Sequence, residues 1–272
     1  MPEGSNRRYR ATVHYDGRGY HGWQVQPDRP TVQGAIESAL EELFPEAVRV
    51  NAAGRTDRGV HAVGQEIAFP AGRSWPAREM RRALNAVLPA DIWVEKLSAS
   101  PEDFHPRFDA TARRYLYLAA TGPRAASPLR RGLVWRLDDA PDPDLLDGLA
   151  DLLPGERSFA SFAKSGQPER GTRCRVHEAR WSRTAVGDLA FTIVADRFLH
   201  HMVRYLVHTL VGCAVGRRDR GDLERLLAGD ADARPPEPAP PGGLYLTGVR
   251  YADGWNRPPG VPGVTGPDAG DL

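Results

Sequence analysis

A chain of 272 residues with 41% hydrophobic and 26% charged side chains has ordinary globular composition and enough length for two domains and a tail. A formal net charge of +1 excludes a globally basic nucleic-acid binder, though not a local cationic surface. Two cysteines, Cys174 and Cys213, lie far apart and outside any CxxC pattern, which points to a reducing compartment and no thiol-bound metal. Met1 to Arg8 lacks an apolar signal core, and no apolar run reaches membrane-spanning length, so the expectation is a soluble cytoplasmic protein without membrane association.

Arg10-Ala-Thr-Val-His-Tyr15 alternates like a strand and stops at the turn signal Asp16-Gly17. The next loop places Tyr20 and Trp23 among glycines, a composition suited to contact rather than burial. Thr31 offers an N-cap, and Val32, Ile36, Ala39, Leu40 and Leu43 recur at helical spacing up to Phe44-Pro45. A strand over Val48 to Asn51 leads into a Gly-rich loop, and a strand from Val60 to Phe69 leads out. Pro76 opens a second helix with Met80, Ala83, Leu84 and Val87 as its apolar stripe, and Ile92 to Leu97 closes the first half as a strand. The order β-α-β-β-α-β is that of an RRM-like or ferredoxin-like lobe, whose open sheet face is a common RNA platform.

The second half begins with a strand over Ala112 to Ala119 that carries Tyr115 and Tyr117 on one face. Asp142 to Leu153 reads as a helix, with Asp142 as cap and Pro143 in its first turn. Cys174 to Trp181 and Leu189 to Val194 alternate like paired strands around the turn Gly187-Asp188. A long apolar helix runs from His200 to about Val215, and a shorter one from Asp222 to Leu227. A polyproline-like connector, Arg234 to Pro241, precedes a last strand, Leu244 to Tyr251. The fold expected is α+β: two RRM-like lobes with antiparallel sheets and a cleft between them. The expected boundaries are 7–104, 105–251, and a disordered Pro/Gly-rich tail over 252–272.

The chemistry concentrates in Asn51-Ala-Ala-Gly-Arg-Thr-Asp-Arg-Gly-Val-His-Ala-Val-Gly-Gln65. Gly54, Gly59 and Gly64 tolerate φ > 0 and close approach of a ligand. Asp57 sits between Arg55 and Arg58, so it is expected to stay ionised and to suit a nucleophile or fixed anion. A lone Asp in such a loop more often caps its own turn; partners elsewhere decide. Arg204, one turn after His200 on the long apolar helix, opposes the helix dipole and needs an anionic partner, for which Asp57 is the candidate. His200, His201 and His208 raise the idea of a metal site, but there is no HExxH, and no GxxxxGK[ST] marks a phosphate loop.

Six stretches carry a resemblance: Tyr15-Asp-Gly-Arg-Gly-Tyr-His-Gly-Trp-Gln24, Gly54-Arg-Thr-Asp-Arg-Gly-Val-His-Ala62 with Gly64-Gln65, Phe104-His-Pro-Arg-Phe108, Ala112-Arg-Arg-Tyr-Leu-Tyr117, Phe198-Leu-His-His-Met-Val-Arg204 and Ala239-Pro-Pro-Gly-Gly-Leu-Tyr-Leu246. In this order and spacing the chain resembles the TruA family, tRNA pseudouridine synthases of the anticodon stem-loop, from about Tyr9 to Tyr251. The resemblance implies isomerisation of uridines 38, 39 and 40 of tRNA without cofactor or metal, on a pseudouridine synthase fold, by a homodimer. It places Asp57 on the catalytic aspartate, Arg55 on the arginine beside it, Tyr115 on the active-site tyrosine and Arg204 on the residue that pairs with the aspartate. Arg58 departs from the Ala usual in bacterial relatives and would face the RNA. Tyr205 and His208 stand where small or polar residues are expected. The competing readings are a non-catalytic RNA-binding protein on the same scaffold, such as a tRNA chaperone, and a metal-dependent hydrolase built on the histidines.

Overall fold

The computed structural model describes residues 7–72, 74–164 and 171–256. In chain order the elements are β1 (Arg7–Tyr15), α1 (Val32–Leu43), β2 (Asn51–Ala52), β3 (His61–Ala71), α2 (Ala77–Val87), β4 (Ile92–Ser100), β5 (Ala112–Ala120), β6 (Trp135–Arg136), α3 (Pro143–Ala150), β7 (Gly155–Ser158), β8 (Arg173–Arg183), β9 (Leu189–Ala195), α4 (Met202–Ala214), α5 (Arg220–Ala228), β10 (Leu244–Tyr251) and β11 (Gly254–Trp255). The class is α+β. The described residues fall into two compact units: 7–111 with 245–256, and 112–244.

In the first unit β1 lies between β4 and β3, antiparallel to both, and β2 pairs with the far side of β3. That order, 4-1-3-2, belongs to the split βαβ arrangement that the element pattern predicts. The start of β3 also takes β10 in parallel, Tyr245 opposite His61 and Leu246 opposite Ala62, and β11 folds back on β10. The last strand therefore clusters with the first unit although its sequence follows the second. Of the expected tail, residues 252–256 form the β10–β11 turn and its exit, and 257–272 lie outside the described residues.

Local chemistry explains the helices. Thr31 is extended (φ −137°) and its hydroxyl accepts the Gly34 amide at 3.2 Å, which caps α1. Two turns later Glu37 is buried against the chain leaving the helix. Its carboxylate accepts the Val50 amide at 2.9 Å, and Gln33 donates to the Val50 carbonyl at 3.3 Å. These bonds shorten the expected strand over Val48 to Asn51: the Val50 peptide groups are satisfied by α1, and ladder pairing is left to Asn51 and Ala52.

The second unit is built on β5-β9-β8-β7, each neighbour antiparallel, with β6 added parallel to β5. All seven residues of β9 are buried, the polar Thr192 among them, so this central strand is covered on both faces. Asp142 caps α3 through the Asp144 and Leu145 amides. Helix α4 buries Met202, Val203, Leu206, Val207 and Leu210 and packs against α3 and α5.

Candidate active site

Asp57 lies in the connection from β2 to β3, residues 53–60, and this loop is tied down from several sides. The Ala53 amide donates to the Glu66 carbonyl at 2.8 Å, and the Trp23 amide to the Thr56 carbonyl at 3.0 Å. Gln65 Nε2 donates to the Gly54 carbonyl at 2.8 Å, and Thr56 Oγ1 meets the Tyr15 hydroxyl at 2.8 Å. The Val60 amide returns to the Asp57 carbonyl at 3.1 Å, a tight turn that places Gly59 at φ 77°. As a result Thr56 is buried, Asp57 half-buried, and Arg55 and Arg58 exposed.

The loop after β1 forms the wall behind it. Tyr20 and Trp23 are buried, contrary to the contact role expected of them. The Trp23 ring packs 6.1 Å from that of Tyr15, and Tyr20 donates to Asp91 at 2.6 Å. The glycines that suggested an open loop are instead what let the chain pass close to itself. Gly22, at φ 94°, would put a Cβ 2.8 Å from the Thr56 carbonyl oxygen. Gly64 meets the backbone of β10 rather than a ligand: a Cβ there would stand 2.6 Å from Thr247 C and O. On the other side of the loop, His61 accepts the Gly17 amide on Nδ1 at 3.2 Å, and its ring stacks on Tyr245 at 4.7 Å.

Arg58 finds a setting here. Desolvation first, then the charges of Arg58 and Arg29, hold the His21 imidazole below its usual pKa, and Arg29 reaches His21 Nδ1 at 3.1 Å. Arg58 thus extends a small cationic surface next to Asp57, the setting a polyanionic substrate requires.

Tyr115 and Arg204 belong to the second unit, on β5 and α4. Tyr115 is mostly buried, and its ring meets Phe198 edge to face at 4.9 Å. Arg204, half-buried, donates from Nε to the Ala239 carbonyl at 2.7 Å, while the Ala239 amide donates back to the Arg204 carbonyl at 3.0 Å. The Tyr117 hydroxyl takes the next carbonyl, Pro240, at 2.7 Å. The proline-rich connector is thereby fastened to α4 and β5, and one donor of Arg204 goes to a neutral carbonyl. Burial pushes the Tyr117 phenol pKa far up, and the Arg204 charge works against it. His200 and His201 lie ring to ring at 4.2 Å ahead of α4, with His201 in the left-handed region at φ 66°. His208 lies flat on Trp135 at 5.8 Å, and burial lowers its pKa, so it is a neutral packing ring.

Arg55, Asp57 and Arg58 thus share one loop of the first unit, while Tyr115 and Arg204 sit on neighbouring supports of the second. Sequence reasoning assigned no role to Tyr15, Thr56 or Gln65. The available signal was weak: a tyrosine ending an alternating strand, a threonine next to Asp57 and a glutamine early in β3.

A family model described as tRNA pseudouridine synthase matches residues 11–109 and 149–252. The chain is 39% identical over 250 residues to tRNA pseudouridine synthase A of Chlorobaculum tepidum, covering 91% of this chain and 99% of the relative. It is 41% identical over 247 residues to the protein of that name from a Caulobacter species, covering 90% and 98%. Against the Myxococcus xanthus protein of that name it is 36% identical over 258 residues, covering 95% and 96%. With the Asp57 loop and its supports in place on a split βαβ frame, and with likeness to these enzymes running over nine-tenths of its length, the chain belongs to the TruA family of tRNA pseudouridine synthases.

Proposed function

We propose that the enzyme, an isomerase that pseudouridylates tRNA, acts on uridines 38, 39 and 40 of the anticodon stem-loop, with Asp57 as its catalytic residue. The observation that carries this reading is the loop itself. Thr56 is held inside by Tyr15 and Trp23, which leaves Asp57 half-buried beside exposed Arg55 and Arg58. A carboxylate held between guanidiniums at a surface suits chemistry on a polyanion, whereas a module that only binds RNA gains nothing from it.

A uridine stacked in a stem must be extruded before it can react, at a cost of a few kcal/mol. Arg55 fills the vacated space or grips the backbone, and Arg58 adds cationic surface. Tyr115 stacks on the extruded uracil, worth roughly 1–3 kcal/mol, and its hydroxyl relays a proton late in the reaction. Arg204 takes the role the resemblance gives it, the basic residue that keeps the catalytic aspartate ionised. The N1–C1′ bond breaks, the uracil turns, a C5–C1′ bond forms, and C5 gives up its proton while N1 ends protonated. Asp57 takes part by covalent attack or by assisting elimination to a glycal. A homodimer that presents both subunits to one tRNA is part of the same reading, as the resemblance implies.

The test is in vitro modification of unmodified tRNA, with pseudouridine mapped by carbodiimide chemistry. Wild type modifies positions 38–40. Asp57→Asn binds tRNA with wild-type affinity and makes no pseudouridine; full turnover by that variant refutes the assignment.

A further inference from the structure

We infer that Tyr15, acting with Thr56 and Gln65, is a positioning residue for the reaction: a buried hydrogen-bond chain through its hydroxyl fixes the backbone on both sides of Arg55 and so sets where Asp57 points. The inference rests on the assignment of Asp57 as the catalytic residue.

The chain has a direction at its Gln65 end. The Gly54 carbonyl can only accept, so it is the amide nitrogen of Gln65 that faces it, at 2.8 Å. The same nitrogen donates to the Tyr15 hydroxyl at 3.4 Å. The hydroxyl also shares a hydrogen bond with Thr56 Oγ1 at 2.8 Å. Burial drives the Tyr15 pKa well above the usual phenol range, so the hydroxyl stays protonated at any working pH. Tyr15 and Thr56 are buried and Gln65 is 0% exposed, so no solvent replaces a lost partner.

The spacing explains the consequence. Gly54 and Thr56 flank Arg55. With the Gly54 carbonyl and the Thr56 side chain held inside, Arg55 is left exposed and Asp57 half-buried. The Trp23 amide on the Thr56 carbonyl, and the Trp23 ring against Tyr15, brace the same two points. Tyr15 is the only member of this chain that touches both of the others, so its hydroxyl is the joint.

Tyr15→Phe keeps the ring and deletes the joint, leaving Gln65 and Thr56 each short of a partner. A catalytic group displaced by about 1 Å loses on the order of 10²-fold in rate. The turnover number on tRNA is therefore expected to fall about 10- to 100-fold, with KM within about twofold because Arg55 and Arg58 remain on the loop. Thr56→Val breaks the same chain at its other end and shows a similar loss. The double variant loses no more than either single one, because both act through one chain. Thr56→Ser restores the hydroxyl and most of the rate, and this pair carries the comparison even if Tyr15→Phe fails to fold.

Tyr9→Phe is the control. It lies on the same strand and gives up two hydrogen bonds to the Trp75 backbone, at 2.7 and 3.0 Å, away from the loop. It is expected to lower the melting temperature and leave kcat unchanged. The inference is overturned if Tyr15→Phe turns over at the wild-type rate, if the losses from Tyr15→Phe and Thr56→Val multiply, or if Tyr9→Phe loses kcat in proportion to its melting temperature. Asp57→Asn, assayed alongside, separates the two levels: turnover by that variant overturns the underlying assignment instead.

Discussion

Glu66 on β3 is 1% exposed and receives three donors. Arg10 Nε meets its Oε1 at 2.8 Å, while Thr12 Oγ1 and Asn256 Nδ2 both meet its Oε2 at 3.0 Å. Asn256 also donates to the Gly64 carbonyl at 3.1 Å and accepts the Val249 amide at 3.1 Å, so this carboxylate joins β1, β3 and the β10–β11 hairpin. Removing one partner of a buried ion pair costs about 3–5 kcal/mol. Arg10 keeps its contact with Asp253 at 3.2 Å and lies over the Phe104 and Tyr251 rings at 5.1 and 5.0 Å, so Glu66→Ala belongs at the low end, about 3 kcal/mol. For a chain of this size that is a fall in melting temperature of about 6–10 °C. The sharper variant is Glu66→Gln, nearly the same shape. An amide offers one acceptor atom, and in either orientation its NH2 group faces a donor, Arg10 on one side or Asn256 on the other. A loss of about 2 kcal/mol or more follows. Thermal and urea unfolding of both variants measure it, and a Glu66→Gln protein within about 0.5 kcal/mol of wild type would show that charge and acceptor count at this point do not hold the hairpin.

Two further expectations concern stability. Gly64→Ala forces a Cβ to within 2.6 Å of the Thr247 backbone, which neither strand can yield without parting β3 from β10. A loss of about 1–3 kcal/mol in urea unfolding is expected, and a neutral result would mean that the two strands are not pressed together at this point. The His208 pKa is lowered by burial in the folded protein, so above about pH 6.5 the ring is neutral in both states and contributes no pH dependence. As pH falls below that value the unfolded chain takes up a proton that the folded one resists, and stability drops until the folded pKa is reached. A melting-temperature profile from pH 7.5 to 5 should fall, and His208→Gln should fall less steeply; parallel profiles would remove His208 from the account.

What could be read from the sequence was local. Thr31 and Asp142 announced their helices because an N-cap needs only its own side chain and amides within three residues. The stripe of α4 announced its burial by periodicity. The misread places share one feature, a partner distant in sequence. Val48 to Val50 had the residues of a strand, but Glu37 and Gln33 took the Val50 peptide groups. Tyr20 and Trp23 looked like contact residues because nothing local shows that Asp91 and Tyr15 receive them. Gly64 looked like room for a ligand until Thr247, far along the chain, filled the space.

The same division runs through the Asp57 loop. Arg55, Asp57 and Arg58 stood out as candidates because their charges lie among glycines. Thr56 and Gln65 were quoted in the same motif yet carried no visible meaning, since their role depends on Tyr15, 41 and 50 residues away. A motif of this length is two interleaved messages. On the proposed reading, outward residues meet the substrate and inward residues hold the backbone that aims them, and what sorts one from the other is a tyrosine distant in sequence. An outward residue can then be tested by what it does to the bond-making step, whereas an inward one betrays itself through coupling. Its loss is shared with the partner it holds, so Tyr15 and Thr56 are better recognised by their failure to add than by the size of either effect.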